Sequence, residues 1–384
     1  MKEYFGKPIK KLGFGFMRLP TYPGKPESEI DIEEVKKMVD LYMGRGFSYY
    51  DSAFRYHGGK SEEAIRLTVT ERYDRDKFQI TTKLPVMGTT TLDEMKSMTQ
   101  TSLDRAGLDF FDLYFIHGVG HGRIEMLDEI GAWNYLKSVK ESGKSKNIGF
   151  SFHGSADTLN RILDAHHKDI DIVQLQINYV DWEDDDVQGR KCYEACVAHG
   201  TGIIIMEPVR GGALANFTPE VAGIFKKANP SMSLASWALR WTLGLENVVN
   251  VLSGMSTIEQ VDDNTTVADP FTPLSGDEQK VIDNVMAELK KIPTIPCTEC
   301  RYCVNDCPQK ISIPGILNQM NEYTLYQNLD GARRIYGFIT SGWGPFGGSP
   351  AKASDCVACG LCEANCPQKI GIVDCLKEAV KLFE

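Results

Sequence analysis

QITTKLPVMGTTTLDEMKSMTQTSLDRAGLDFFDLYFIHG, residues 79–118, contains one complete unit of the architecture. It opens with an apolar and β-branched run, QITTKLP (79–85), and closes with another, DLYFIHG (112–118). Runs of this kind, bounded by Gly, Pro and Asp, suit a parallel sheet covered on both faces. Between them, TLDEMKSMTQTSLDRAG (91–107) sets Leu92, Met95, Met98 or Thr99, and Leu103 near the helical period. Gly107 stands where a helix C-cap belongs.

The same alternation repeats on either side. KLGFGFM (11–17), FSYYDSA (47–53), NIGFSF (147–152), IVQLQINY (172–179), GIIIMEP (202–208) and VVNVLSG (248–254) bring the strands to eight. Helical patterns such as DIEEVKKMVDLYMGRG (31–46) lie between them. Eight β–α units across residues 10–270 predict an α/β fold of the (β/α)8 TIM-barrel type. An open doubly wound sheet would carry a GxGxxG turn after an early strand. Gly13-Phe14-Gly15-Phe16-Met17-Arg18 lacks the third glycine.

One more amphipathic helix follows, SGDEQKVIDNVMAELKK (275–291), with Ser275 as cap and Glu278 three residues on. The prolines of IPTIPC (292–297) end it. The expected division is therefore a barrel domain, 1–291, and a small helix-rich domain, 292–384.

The chain of 384 residues is 42% hydrophobic and 24% charged, as a folded globular protein is, so disorder and fibrous repeats are excluded. Its net charge of −10 argues against general binding of nucleic acid or anionic membranes. No apolar run approaches the roughly 18 residues of a membrane span, and MKEYFGKPIKKLGFG lacks the apolar core of a signal peptide. A cytoplasmic location is expected.

Of eleven cysteines, only Cys192 and Cys196 precede residue 297. Cys297, Cys300, Cys303 and Cys307 follow C-x2-C-x2-C-x3-C, then Pro308. Cys356, Cys359, Cys362 and Cys366 repeat the spacing before Pro367, and CPQKI occurs at 307–311 and again at 366–370. This is the run of bacterial two-cluster ferredoxins, in which the fourth cysteine ligates the other cluster. The expected [4Fe-4S] sets are Cys297, Cys300, Cys303 and Cys366, and Cys356, Cys359, Cys362 and Cys307. Structural zinc prefers two separated cysteine pairs. Cys375, in a helical pattern, reads as a small core residue, and Cys192 and Cys196 read as inert thiols. Between the motifs, NQMNEYTLYQNLDGARRIYGF (318–338) looks helical and GWGPFGGSP (342–350) looks like an aromatic, glycine-rich loop.

Catalytic residues of a barrel sit at the C-terminal ends of its strands. There the sequence offers Asp51 and, just beyond, Tyr56, then Lys83 and His117. Each has a plainer role available: helix cap, surface loop, solvated cation, core histidine. Together they suit carbonyl reduction. A tyrosine with an ordinary pKa near 10 is a weak acid. An adjacent ammonium would lower that pKa. Asp51 would orient Lys83, and His117 would polarise the substrate oxygen.

DSAFRY (51–56), TTKLP (81–85) and DLYFIHG (112–118) resemble the aldo/keto reductases, as do GFGFMRLP (13–20), IGFSFHGS (148–155), VQLQINY (173–179), MEPVRGG (206–212) and VLSGMSTIEQVDDN (251–264). The resemblance spans about residues 5–290, and the cysteine-rich tail points to the branch with a C-terminal 4Fe-4S dicluster domain. It implies Tyr56 as proton donor with Asp51, Lys83 and His117 as partners. It also implies a nicotinamide cofactor, NAD(H) or NADP(H), extended over the barrel mouth. Ser151 and Gln174 would hold its carboxamide and Met206 would meet the nicotinamide ring, with Met17, Asp51 and Pro208 as further cofactor-binding residues. Ser253, Gly254 and Ser256 would approach the phosphates, and Gln260, Asp263 and Asn264 the adenine ribose. Met206 replaces a frequent aromatic residue, and His153 replaces a frequent Asn. Gly254 and Gln260 stand where NADPH-selective members place Lys and Arg, while Asp262 and Asp263 add negative charge. That implies a lean towards NADH, with Arg210 the basic residue on a neighbouring loop.

The expected activity is NAD(P)H-dependent reduction of an aldehyde or ketone, or oxidation of the alcohol. The alternative is an electron-transfer or redox-sensing protein whose barrel binds nucleotide without turnover. Nicotinamide moves two electrons together and each cubane one, so a one-electron redox partner is a further expectation. Substrate choice is assigned to loops 18–30, 118–124 and 180–190.

Overall fold

The computed structural model describes residues 4–120, 123–342 and 350–384. The loop expected at 342–350 falls almost wholly outside these residues, and the loop at 118–124 falls partly outside them. The strands are β1 (Leu12–Gly15), β2 (Tyr49–Asp51), β3 (Gln79–Leu84), β4 (Phe111–Val119), β5 (Ser145–Phe152), β6 (Ile172–Gln176), β7 (Gly202–Met206) and β8 (Val248–Ser253). They form a closed parallel barrel in sequence order. Leu12 pairs with Val251 and Phe14 with Ser253 to close it.

Period-two alternation divides each strand between the barrel interior and the helical shell. Tyr49, Leu113, Phe115, Ile172, Ile204 and Leu252 pack together inside. Gly149 belongs to this layer because nothing larger fits: a Cβ there would stand 1.8 Å from the Ile172 carbonyl oxygen and 2.6 Å from the Phe115 ring. The opposite faces of the strands join the larger core beneath the helices.

The helix expected at 91–107 runs Leu92–Ala106. Thr91 and Glu94 form a capping box, and Gly107 ends the helix at φ +64°. Leu92, apolar and near the helical period, is exposed. It occupies the first helical position, and the buried stripe starts at Met95. Ser275 and Glu278 cap the helix Gly276–Leu289 in the same manner.

Packing divides the chain into two compact units. One runs through Val209 and resumes at Ala235–Leu274; the other comprises Arg210–Leu234 and Ser275–Glu384. The helix Gly276–Leu289, which the sequence groups with the barrel, packs with the helix Pro219–Ala228 in the second unit. That unit has its own core, including Ile311, Ile316, Leu317, Tyr336, Leu376 and Phe383. The helical stretch at 318–338 belongs to two helices, Ile313–Tyr326 and Leu329–Thr340. Gln327 turns left-handed at φ +52°, and the Asn328 side chain accepts from the Gly331 N–H. No described helix is long and apolar enough to cross a membrane.

Candidate active site and metal centres

Strand geometry aims the catalytic candidates. Asp51 lies two residues beyond Tyr49 and so shares its inward face. Lys83 is in register with the inward Phe115, and Ser151 with Gln174. The β4–β5 register slips between Ile116 and Val119, and Gly118 adopts φ +67°. A bulge of this kind re-aims a side chain at a strand end, here that of His117.

Lys83 Nζ donates to Asp51 Oδ1 at 2.5 Å and to the Ser52 carbonyl at 2.7 Å. Gln174 Nε2 donates to the other Asp51 oxygen at 3.1 Å. Asp51 is 4% exposed and Lys83 1%, so neither is a helix cap or a solvated cation. Burial raises the Asp51 carboxyl, and Lys83 opposes that rise. Burial alone would lower the Lys83 ammonium, but Asp51 and Tyr56 hold it above its ordinary value.

Tyr56 opens a short turn, Tyr56–Gly59. Its ring meets that of His117 nearly edge-on, centroids 5.7 Å apart at 82°. Lys83 Nζ is 5.0 Å from the Tyr56 ring centroid. The sequence argument has Lys83 bring the phenol below its ordinary pKa. Instead burial raises it, and Lys83 only pulls part of the way back. Tyr56 is therefore protonated at neutral pH, as a proton donor must be. His117 is pushed well down by burial, then by Lys83, His153, Arg123 and Arg55, so its imidazole is neutral.

Sequence reasoning missed two supports. His57 is buried at φ +52°, accepts from the Leu19 N–H through Nε2 and contacts the Glu27 carbonyl through Nδ1 at 2.7 Å. It fixes loop 18–30 beside Tyr56, and the adjacent Gly58-Gly59 is its only sequence signal. Glu62 is fully buried, accepts from Thr82 at 2.7 Å and pairs with Arg105 at 3.4 Å. Arg105 also donates to the Phe54 carbonyl. In sequence, Glu62 looks like any acidic residue in a first helical turn.

In the second unit the eight motif cysteines surround two small cavities. Cys297, Cys300, Cys303 and Cys366 line one, and Cys356, Cys359, Cys362 and Cys307 the other. The fourth cysteine of each motif thus crosses to its neighbour. Glu299, Arg301 and Lys310 have positive φ, as do Ala358, Gly360 and Lys369 at the same places in the second repeat. Successive left-handed turns suit backbone nests for an anionic group. Among the described residues no three His, Cys, Asp or Glu side chains close on a single ion. A donor set of four thiols around each cavity fits a thiolate-held cluster. Burial pushes the Cys303 thiol to about 11, so loading must release protons. Cys192 and Cys196 are buried with raised thiols, and Cys375 packs against the second core.

Residues 11–287 match the aldo/keto reductase family model. The chain belongs to the aldo/keto reductase family. Residues 296–370 match the 4Fe-4S dicluster domain. The chain is 28% identical over 215 residues to probable aldo-keto reductase 1 of Glycine max, covering 54% of this chain and 58% of that one. It is 21% identical over 310 residues to L-galactose dehydrogenase of Arabidopsis thaliana, covering 76% and 93%. An aldo/keto reductase from Klebsiella pneumoniae, in complex with NADP and acetate, shares the fold. Its TM-score is 0.58 at 17% identity, over 72% of this chain and 92% of that one.

Several of the residues expected to hold a cofactor lie at strand ends or just beyond them. Ser151 Oγ accepts from the Gly118 N–H at 2.8 Å and keeps its own proton to donate. Met17 is exposed, Met206 ends β7 partly exposed, and Pro208 is buried beyond it. Asn264 Nδ2 donates to Ser253 Oγ at 2.7 Å. The Ser256 N–H donates to Gln260 Oε1 at 2.7 Å, and its hydroxyl to the Arg18 carbonyl at 2.6 Å. These contacts fix polar side chains beside the ends of β1 and β8. The charge differs from the sequence expectation. Asp262 is ion-paired with Arg45, and Asp263 accepts from Ser236. Arg210 pairs with Glu322, whereas the Arg18 side chain lies beside Gly254, its Cδ 3.1 Å from where a Cβ would be.

Proposed function

We propose that the protein reduces an aldehyde or ketone with NAD(P)H, or runs the reverse oxidation. The observation that carries this reading is the sealed Asp51–Lys83 pair beside Tyr56 and His117 at one barrel mouth. A bound nicotinamide supplies or accepts the hydride. Tyr56 gives its hydroxyl proton to the substrate oxygen as negative charge develops there. Lys83 stabilises the phenolate left behind. Neutral His117 donates an N–H hydrogen bond to the same oxygen. Asp51 fixes the ammonium and keeps it charged. Ser151 and Gln174 orient the carboxamide, and the Ser253–Asn264 segment holds the phosphates and adenine ribose. The NADP in the Klebsiella pneumoniae relative is consistent with this cofactor class.

The four cysteines of each cradle would hold one [4Fe-4S] cluster, giving two per chain, and a cluster supplies single-electron transfer when bound. Cys300 and Cys359 are exposed, with Tyr302 and Leu361 exposed beside them. This favours an external one-electron partner over a purely structural role. The functional division is drawn at 292, as 1–291 and 292–384; family matches over 11–287 and 296–370 support it. The test is NAD(P)H consumption by anaerobically purified protein against aldehydes, ketones and quinones, with iron and sulfide analysis alongside. Nucleotide binding with no turnover on any of them, in cluster-replete protein, favours the redox-sensing alternative.

A further inference from the structure

The two cysteine cradles are near copies of each other. Every residue lining the first has a counterpart 59 residues away in the lining of the second, as Cys297 has Cys356. The ligands match in exposure as well as in identity. Cys300 and Cys359 are exposed, Cys297 and Cys356 are half-buried, and Cys303, Cys307, Cys362 and Cys366 are buried. Three lining positions differ: Thr298 against Val357, Pro314 against Val373, and Arg301 against Gly360. Only the last of these changes the charge.

That position is also one where the backbone disfavours a side chain. Arg301 has φ +64° and Gly360 has φ +75°. Glycine enters this left-handed region freely, whereas other residues enter it under strain. A strained arginine therefore stands at the exposed edge of one cradle, while glycine fills the same place in the other. Neighbouring charge does not undo the difference. Glu299 accepts from Asn318 Nδ2 at 3.1 Å and does not line the cradle. At the other cradle, Glu363 adjoins Cys362 and Asp306 adjoins Cys307, and their counterparts, Val304 and Asn365, are uncharged. Lys310 and Lys369 occupy matching places and cancel. Lys377 is paired with Asp374.

The potential of an iron–sulfur cluster follows its type, net charge, hydrogen bonds to sulfur and solvent exposure. Type and exposure match between the cradles, so charge separates them. Reduction adds one negative charge, which a nearby cation stabilises. We propose that Arg301 gives the cluster held by Cys297, Cys300, Cys303 and Cys366 the more positive reduction potential, so that this cradle takes the first electron. The inference rests on the two-cluster reading. Its readout is a potential, independent of any turnover at the barrel.

Anaerobically purified holoprotein is first assayed for iron and sulfide. It is then titrated potentiometrically with redox mediators, and EPR spectra record each one-electron step. Two steps are expected. Arg301→Gly should lower the more positive one by at least about threefold in the reduction equilibrium, about 28 mV for one electron, and leave the other in place. Arg301→Lys should keep most of the wild-type value. Added salt should narrow the gap, because the guanidinium is exposed. Gly360→Arg, which places the charge on the second cradle, should raise the more negative step and decides the matter if Arg301→Gly assembles poorly. Coincident steps in the wild type overturn the proposal, as does an Arg301→Gly variant that leaves the more positive step unmoved or shifts only the other. Protein that cannot be loaded with about eight iron and eight sulfide removes the two-cluster reading itself, and the proposal with it.

Discussion

Lys83 Nζ lies 2.5 Å from Asp51 Oδ1 in a part of the barrel where neither side chain meets solvent. A buried pair of this kind is weak evidence for stability, because desolvation offsets most of the attraction. Its value is positional: it fixes a cation behind the Tyr56 ring.

Tyr56→Phe removes only the hydroxyl, leaving the ring's contact with His117. Loss of a positioned proton donor typically lowers the rate about 10²–10⁴-fold. We expect that loss in kcat for carbonyl reduction, with nucleotide affinity nearly unchanged in a fluorescence titration. Wild-type turnover under conditions where hydride transfer limits the rate would mean the proton comes from elsewhere, with His117 the next donor to test.

Lys83→Met strands a buried carboxylate with only Gln174 to meet it. Breaking one side of a buried pair costs about 3–5 kcal/mol, whereas removing both sides is often close to neutral. The single variant should melt well below wild type, and Asp51→Asn combined with Lys83→Met should regain more than half of that loss. Both should be catalytically impaired. A double variant that melts no higher than the single would show that the pair's geometry, rather than its charge, supports the barrel.

The pH profile follows from the same groups. Tyr56 is raised above its ordinary value and His117 lowered well below its own, so each stays in its neutral form between the two. The reduction rate should be level between about pH 6.5 and 10. Alcohol oxidation, which needs the tyrosinate, should rise with pH. A descending limb in reduction near neutrality that is absent in Tyr56→Phe would contradict the raised phenol.

The architecture was legible because the eight apolar runs, punctuated by Gly, Pro and Asp, repeat a single unit. The tetrad was legible because strand ends project inward in a barrel. The outward direction of Leu92 and the break between the two helices within 318–338 were not legible, for local reasons. A first-turn leucine can point to solvent, and an Asn-Leu-Asp-Gly cap can interrupt a helical pattern without a proline. Glu62 was invisible because its burial comes from contacts with Thr82 and Arg105, twenty and more residues away. Likewise, Arg18 reaches Gly254 only because β1 and β8 close the barrel.

That closure gives a cofactor prediction. The family resemblance implies that Gly254 stands where a 2′-phosphate would be read, and the Arg18 side chain lies against that glycine. Arg18 also pairs with Glu207 at 3.4 Å, which weakens its hold on a phosphate. Discrimination between NADH and NADPH should therefore be under about 100-fold, or about 2.7 kcal/mol. Arg18→Ala should raise Kd for NADPH more than for NADH. Equal losses for both would place Arg18 on the shared pyrophosphate or outside the site.

The crossed cradles make the last prediction. Cys307 lies in the first motif but lines the cavity of Cys356, Cys359 and Cys362, and Cys366 does the reverse. Intact protein should hold about eight iron and eight sulfide per chain, with broad absorption near ~400 nm that dithionite bleaches. Cys307→Ala should lower iron towards four and broaden the signal of the cluster built on the 356–362 triplet. Cys366→Ala should spare that cluster and damage the one built on 297–303. Double variants identify the surviving cluster: Cys307→Ala with Cys359→Ala should lose no more iron than either alone, since both strike one site. Cys307→Ala with Cys300→Ala should strike both. If Cys307→Ala instead removed the same iron as Cys300→Ala, ligation would be local to each motif and the crossing wrong. Stoichiometric zinc without sulfide would remove the cluster assignment altogether.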